Sequence, residues 1–231
     1  MKLNRHSHTF LTLEQTAANR RLPYQKTYDF SGLYIDEQHH RIGSAKRNSE
    51  GFIDIGVYGL LSPIDALKLY ELVYFCGGNV LDLGTGYGLS AFIEALASDA
   101  AGLDNKIVTI EILPKRVAAA REALLGKRGC ERIEFLCANC LAALKDEKRS
   151  FNFAFVDHSH DFDNVYWVCK NYLAKVMAPG AFVLFHDFND PRNPNREHQD
   201  YGVYQGVQGG LDASRFEFWG IYGCAGLFRL R

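Results

Sequence analysis

Val80-Leu81-Asp82-Leu83-Gly84-Thr85-Gly86-Tyr87-Gly88-Leu89 is the stretch whose reading decides the fold. Its first four residues form a short apolar run, and the next five place glycine at every second position. Glycine lets a backbone take positive φ and approach a ligand closely. Residues 89–97 then read as a helix with Ser90 in its first turn. A strand, a glycine turn and a helix in that order open a βαβ unit.

The pattern continues downstream. Residues 106–110 (KIVTI) are a β-branched strand running up to Glu111, and Pro114 opens a helix to about residue 125. Residues 133–137 and 151–156 (FNFAFV) read as further strands, the latter ending at Asp157. A helix over 164–176, closed by Pro179-Gly180, precedes a strand over 181–185 that ends at His186-Asp187. Upstream, Ser62-Pro63-Ile64-Asp65 supplies an N-cap serine and a proline at the first helical position. That helix runs to about residue 75, where Gly77-Gly78 stops it. Residues 216–222 and 227–231, joined through Gly223-Cys224-Ala225-Gly226, read as a hairpin. Strands alternating with helices require parallel pairing through right-handed crossovers. The expected fold is therefore α/β: a Rossmann-like, doubly wound, mostly parallel sheet with a C-terminal antiparallel hairpin. The expected division is an N-terminal extension or cap over 1–54 and one domain over 55–231. Ligands in such sheets sit beyond the carboxyl ends of the strands. Gly84, Glu111, Asn139, Asp157, His186 and Asp187 all fall at or just past such ends, so one rim should gather them.

Composition narrows the function classes. With 231 residues, 26 basic and 27 acidic side chains, the net charge is −1. That balance gives no electrostatic reason to expect a nucleic acid as partner. No apolar run approaches the roughly 20 residues of a membrane span, and residues 1–21 lack a signal-peptide core, so a cytoplasmic location is expected. Six cysteines, several inside apolar runs, read as buried thiols of a reducing compartment. His6, His8, His39, His40 and Lys46-Arg47 read as an exposed lid or cap. A homodimer is the oligomeric state expected.

A nicotinamide-binding turn reads GxGxxG, and its third glycine is replaced here by Leu89. The GxGxG spacing with Asp82 just ahead resembles motif I of the class I S-adenosylmethionine-dependent methyltransferases. The resemblance implies that Asp82, Gly84, Thr85, Gly86, Tyr87 and Gly88 serve that cofactor. Glu111, ending the next strand, is placed to accept both ribose hydroxyl hydrogens. Asn139 stands where this family sets a polar residue, usually aspartate, against the adenine, although a helix N-cap is an equal reading. Tyr87 and Ile112 are candidates to flank the cofactor.

Phe155-Val156-Asp157-His158-Ser159-His160-Asp161-Phe162 carries the densest polar chemistry. It resembles the small-molecule O-methyltransferases, both the catechol type and the sugar, macrolide and cephalosporin-hydroxylase-like group. His160 occupies the position of the catechol type's catalytic lysine, and a histidine suits a general base near neutral pH. Asp157, shared between cofactor and catalysis, His186 and Asp187 form a candidate site for a divalent metal, magnesium or manganese. The histidine also suits iron or zinc. In these relatives the second acidic site carries a neighbouring acid or asparagine, and here Phe188 follows instead. The loop over 190–200 and the helix begun by Tyr201-Gly202-Val203, with the N-terminal cap, should shape the acceptor pocket; Tyr58, Trp167 and Trp219 are candidates to line it. The acceptor expected is a small hydroxylated molecule, a sugar or a phenol. Two other classes stay open: a cofactor-binding or assembly module without chemistry, and a nicotinamide oxidoreductase.

Overall fold

A computed structural model describes residues 2–5, 23–193 and 201–231. Its elements are α1 (Glu37–Gly43), β1 (Lys46–Arg47), β2 (Ile53–Asp54), α2 (Pro63–Phe75), β3 (Val80–Leu83), α3 (Leu89–Ala100), β4 (Ile107–Glu111), α4 (Pro114–Leu124) and β5 (Ile133–Cys137). They continue as α5 (Cys140–Lys145), β6 (Phe151–Val156), α6 (Phe162–Val168), β7 (Met177–Phe185), α7 (Val203–Gly210), β8 (Phe216–Tyr222) and β9 (Ala225–Leu230).

Seven strands form one sheet in the order β5-β4-β3-β6-β7-β9-β8. β3 pairs in parallel with both β4 and β6, whereas β9 runs antiparallel to β7 and β8. The expected sheet and its C-terminal hairpin are both present. Alternation along each strand builds two cores. Leu81, Leu83, Ala154 and Val156 face one, with Val165 and Val207 from the helices; Val80, Phe153 and Phe155 face the other, with Leu69, Leu72, Ala91 and Ile93. Burial on both faces is why these strands read as continuous apolar runs. Strand order reverses between β3 and β6, and a crevice opens beyond their carboxyl ends, as this topology requires.

Three local expectations are corrected. The helix expected over 164–176 starts earlier, at Phe162, because Asp161 rather than a later residue is its N-cap and accepts from the Asn164 backbone. It then passes through a π turn, Cys169–Leu173, before Ala174–Val176. β7 begins at Met177, ahead of Pro179-Gly180: Met177 pairs with Phe151, then the register shifts so that Phe182 pairs with Phe153. An irregularity of this kind accommodates a proline within a sheet.

The third concerns the supposed exposed cap. His6 and His8 lie outside the described residues, and His40 is exposed, but His39 is fully buried. Its Nδ1 accepts from the Ile35 backbone, its Nε2 donates to the Leu67 carbonyl, and its ring stacks on Tyr70. Beside it, the fully buried Lys68 ammonium donates to Glu71, Thr27 and the Gln25 carbonyl. Glu71 also accepts from Tyr24 and from the backbone of Thr27 and Tyr28. Residues 24–28 are thus strapped to α2 by a buried ion pair.

Candidate active site

The glycine turn leaves β3 with Gly84 at φ 102°. A Cβ there would lie 2.3 Å from the carbonyl oxygen of Asp157, so only glycine lets the ends of β3 and β6 meet. Gly86, at φ 53°, has open space where a Cβ would stand. Its N–H donates to Glu111 Oε2 at 3.1 Å, while Glu111 Oε1 accepts from the Leu113 backbone. The carboxylate at the tip of β4 therefore braces the turn and keeps further lone pairs for a ligand.

Asp82 is different. It is fully buried beneath the turn, where its Oδ2 accepts from Thr109 at 2.7 Å and from Ser90 at 3.1 Å. The Thr109 hydroxyl also lies 2.5 Å from that of Thr85. Asp82 thus supports the turn through Thr109 and Thr85 and does not line the crevice. Burial pushes its carboxyl up to about 7, against the two hydroxyl donors that lower it. Asn139 caps α5, its Oδ1 accepting from Leu141 and Ala142. Ile112 is half exposed outside the crevice wall, and Tyr87, also exposed, stands edge-on to Tyr58 at the rim.

One cavity of about 640 Å³ joins this turn to the polar cluster after β6 and β7. A volume of that size fits a small-molecule site. At its far end His160 Nε2 lies 3.1 Å from Asp187 Oδ2 and 3.6 Å from Asp157 Oδ1. The His160 ring stacks on Tyr201, whose hydroxyl donates to Asp187. Held between two carboxylates, His160 is raised to about 9, so in this arrangement its ring carries a proton and donates. Asp187 adopts φ 54°, an uncommon conformation outside glycine that aspartate tolerates better than most.

His186 occupies the centre. It is buried, with Nδ1 3.3 Å from Asp157 Oδ1 and 3.7 Å from Asp187 Oδ1. Neither ring nitrogen reaches hydrogen-bond alignment with a partner. Donor atoms of Asp157, His186 and Asp187 lie within 4.8 Å of one another, close enough to converge on one cation. An unaligned buried imidazole between two carboxylates fits a metal there: nitrogen plus hard oxygen donors suits a borderline or hard divalent ion.

The structure thus brings Gly84, Thr85, Gly86, Tyr87, Glu111, Asp157, His160, His186 and Asp187 to one cavity wall. Gly88, at φ 97°, starts α3 behind the turn. Sequence reasoning missed Asp65 and Cys224, which line the same cavity. It also missed His158, where burial lowers the imidazole to about 4 and keeps it neutral. Arg192 belongs to the wall as well, stacked on Tyr201 and paired with Asp190. Of the aromatic candidates, Trp219 is core, packed on Phe182, whereas Tyr58 and Trp167 are exposed and none of the three lines the cavity. Residues 194–200 of the expected acceptor loop lie outside the described residues.

Residues 81–188 match the family model described as a methyltransferase domain. No curated protein sequence matches the chain significantly. Among solved structures, an O-methyltransferase from Bacillus cereus in complex with SAH superposes with a TM-score of 0.60 at 20% identity, covering 84% of this chain and 90% of that one. The O-methyltransferase TomG of tomaymycin synthesis from Streptomyces achromogenes, in complex with SAM, gives 0.57 at 21% identity, over 84% and 89%. An SAH-bound methyltransferase from Podospora anserina gives 0.58 at 18%, over 74% and 80%. At such identities these likenesses speak for the fold. Residues 81–188 thus match a methyltransferase domain, and the sheet that carries them has the class I methyltransferase fold.

Proposed function

We propose that this protein transfers a methyl group from S-adenosylmethionine to a hydroxyl of a small molecule, a sugar or a phenol, with a divalent ion held by Asp157, His186 and Asp187. The observation carrying the reading is that one cavity contains both the Gly84–Gly86 turn with Glu111 and the Asp157–His186–Asp187 cluster. Bound S-adenosylmethionine supplies an electrophilic methyl carbon. Glu111 would accept from its ribose hydroxyls, and the open space at Gly86 would let it lie close against the turn. The solved O-methyltransferases with bound SAM or SAH lend this assignment support. Phe52 of the N-terminal segment lines one side of the cavity.

A divalent ion in the carboxylate–imidazole cluster would lower the hydroxyl pKa and orient the acceptor. His160 Nε2 is the base we assign. Two adjacent carboxylates hold a proton on that ring, so the assignment requires Asp157 and Asp187 to share their charge with the ion. Base and metal site are then interdependent, and Tyr201 fixes the imidazole plane by stacking.

Transfer of labelled methyl from S-adenosylmethionine to a panel of catechols, simple phenols and hexoses tests the reading. His160→Ala should lower turnover by about 10²–10⁴-fold while leaving SAH affinity unchanged. A chelator should abolish turnover, with manganese or magnesium restoring it. Undiminished turnover in His160→Ala, or after chelation, contradicts the respective assignment.

A further inference from the structure

His186 has a second side. While Nδ1 faces Asp157 and Asp187, Nε2 points to Asp65 in the first turn of α2, 4.0 Å from its Oδ2, and to Cys224 in the turn between β8 and β9. Cys224 Sγ lies 3.5 Å from the same Asp65 oxygen. Donor atoms of Asp65, His186 and Cys224 all fall within 4.8 Å of one another. We propose that these three side chains form a second cation site, which shares His186 with the Asp157–Asp187 cluster but takes its Nε2 rather than its Nδ1, and is selective for a thiophilic divalent ion such as zinc.

The donor set carries the choice of ion. One sulfur, one imidazole nitrogen and one carboxylate oxygen are zinc ligands, and magnesium disfavours sulfur. Zinc bonds of about 2.3 Å to sulfur and 2.1 Å to nitrogen or oxygen put tetrahedral S···O at about 3.6 Å and N···O at about 3.4 Å. The S···O separation of 3.5 Å already matches, and the N···O separation of 4.0 Å must close by about 0.6 Å through side-chain movement. His186 is more than nine-tenths buried, and its Nε2 has no aligned hydrogen-bond partner. A buried polar atom in that state calls for a ligand.

The framework around the site is rigid. Ser62 Oγ donates to Asp65 Oδ2, and the Cys224 N–H donates to Asp65 Oδ1 at 3.1 Å. Gly223, at φ 61°, brings its turn so close that a Cβ would stand 2.5 Å from Asp65 Oδ1. On binding, the Cys224 thiol proton and the proton on His186 Nε2 leave to solvent, and the Sγ–metal and Nε2–metal bonds take their places. Three protein ligands leave a fourth position, and all three residues line the cavity, so that position opens on the substrate side.

Cobalt(II) as a zinc surrogate reads the thiolate ligand directly. Titration of the full chain should give a thiolate-to-cobalt charge-transfer band at one ion per chain, displaced by zinc. The band should vanish in Cys224→Ser and persist in Cys137→Ser and Asp187→Asn, with thermal melts verifying that each variant is folded. Zinc affinity of Cys224→Ser, by competition with a chromogenic chelator, should fall at least 100-fold. Absence of the band in the wild type, its survival in Cys224→Ser, or its loss in Cys137→Ser or Asp187→Asn overturns the proposal. None of these readouts uses methyl transfer, so the proposal stands or falls separately from the activity.

Discussion

Individual side chains at the rim divide into those that meet the cavity and those that hold the others in place. Asp82 belongs to the second kind, and its burial has a consequence for pH. Its carboxyl titrates near 7 in the fold, through desolvation, against about 3.9 in an unfolded chain. A raised carboxyl binds more protons folded than unfolded. Its contribution is therefore complete below about pH 4 and is lost as pH rises through 7. Asp82→Asn should gain stability relative to the wild type between pH 5 and 8, by on the order of a few kcal/mol, as read from urea unfolding at both values; parallel wild-type and variant profiles would contradict this. At this scale the sequence was partly legible. Gly84, Glu111, Asp157 and Asp187 showed themselves because each ends a strand. Asp65 did not, since Ser62-Pro63-Ile64-Asp65 reads fully as a helix cap, which it also is. Cys224 was read only as a turn residue, because which element faces a hairpin turn is a tertiary fact.

Elements were more legible than their ends. β3, β4 and β6 are short β-branched or aromatic runs bounded by glycine, aspartate or proline, and they lie within a residue of where the pattern puts them. β7 was cut short because Pro179-Gly180 looks like punctuation, whereas the register shift against β6 absorbs it. Residues 24–28 were the least legible, since long-range contacts rather than a local period hold them. The strap over 24–28 depends on Lys68 and Glu71. Glu71→Ala leaves the Lys68 ammonium buried without its carboxylate and should cost about 3–5 kcal/mol in denaturant unfolding. The double change Lys68→Met with Glu71→Leu should recover much of that loss. Equal destabilisation by the single and double variants would show that the pair itself is not what ties the strap to α2.

For the molecule as a whole, the doubly wound sheet explains why residues far apart in sequence share one site. Reversal of strand order at β3 and β6 opens the crevice, β4 brings Glu111 to one end, and β7 brings His186 and Asp187 to the other. Among the described residues no helix is long and apolar enough to cross a membrane. On the proposed function, the Gly84–Gly86 turn and Glu111 hold S-adenosylmethionine. Calorimetric titration of the full chain with SAH tests it most directly. One site per chain should be seen, weakened by about 10–100-fold in Glu111→Ala, the worth of one to three kcal/mol of charge-assisted hydrogen bonding. No binding of SAH or S-adenosylmethionine, with binding of NAD in their place, would contradict the account.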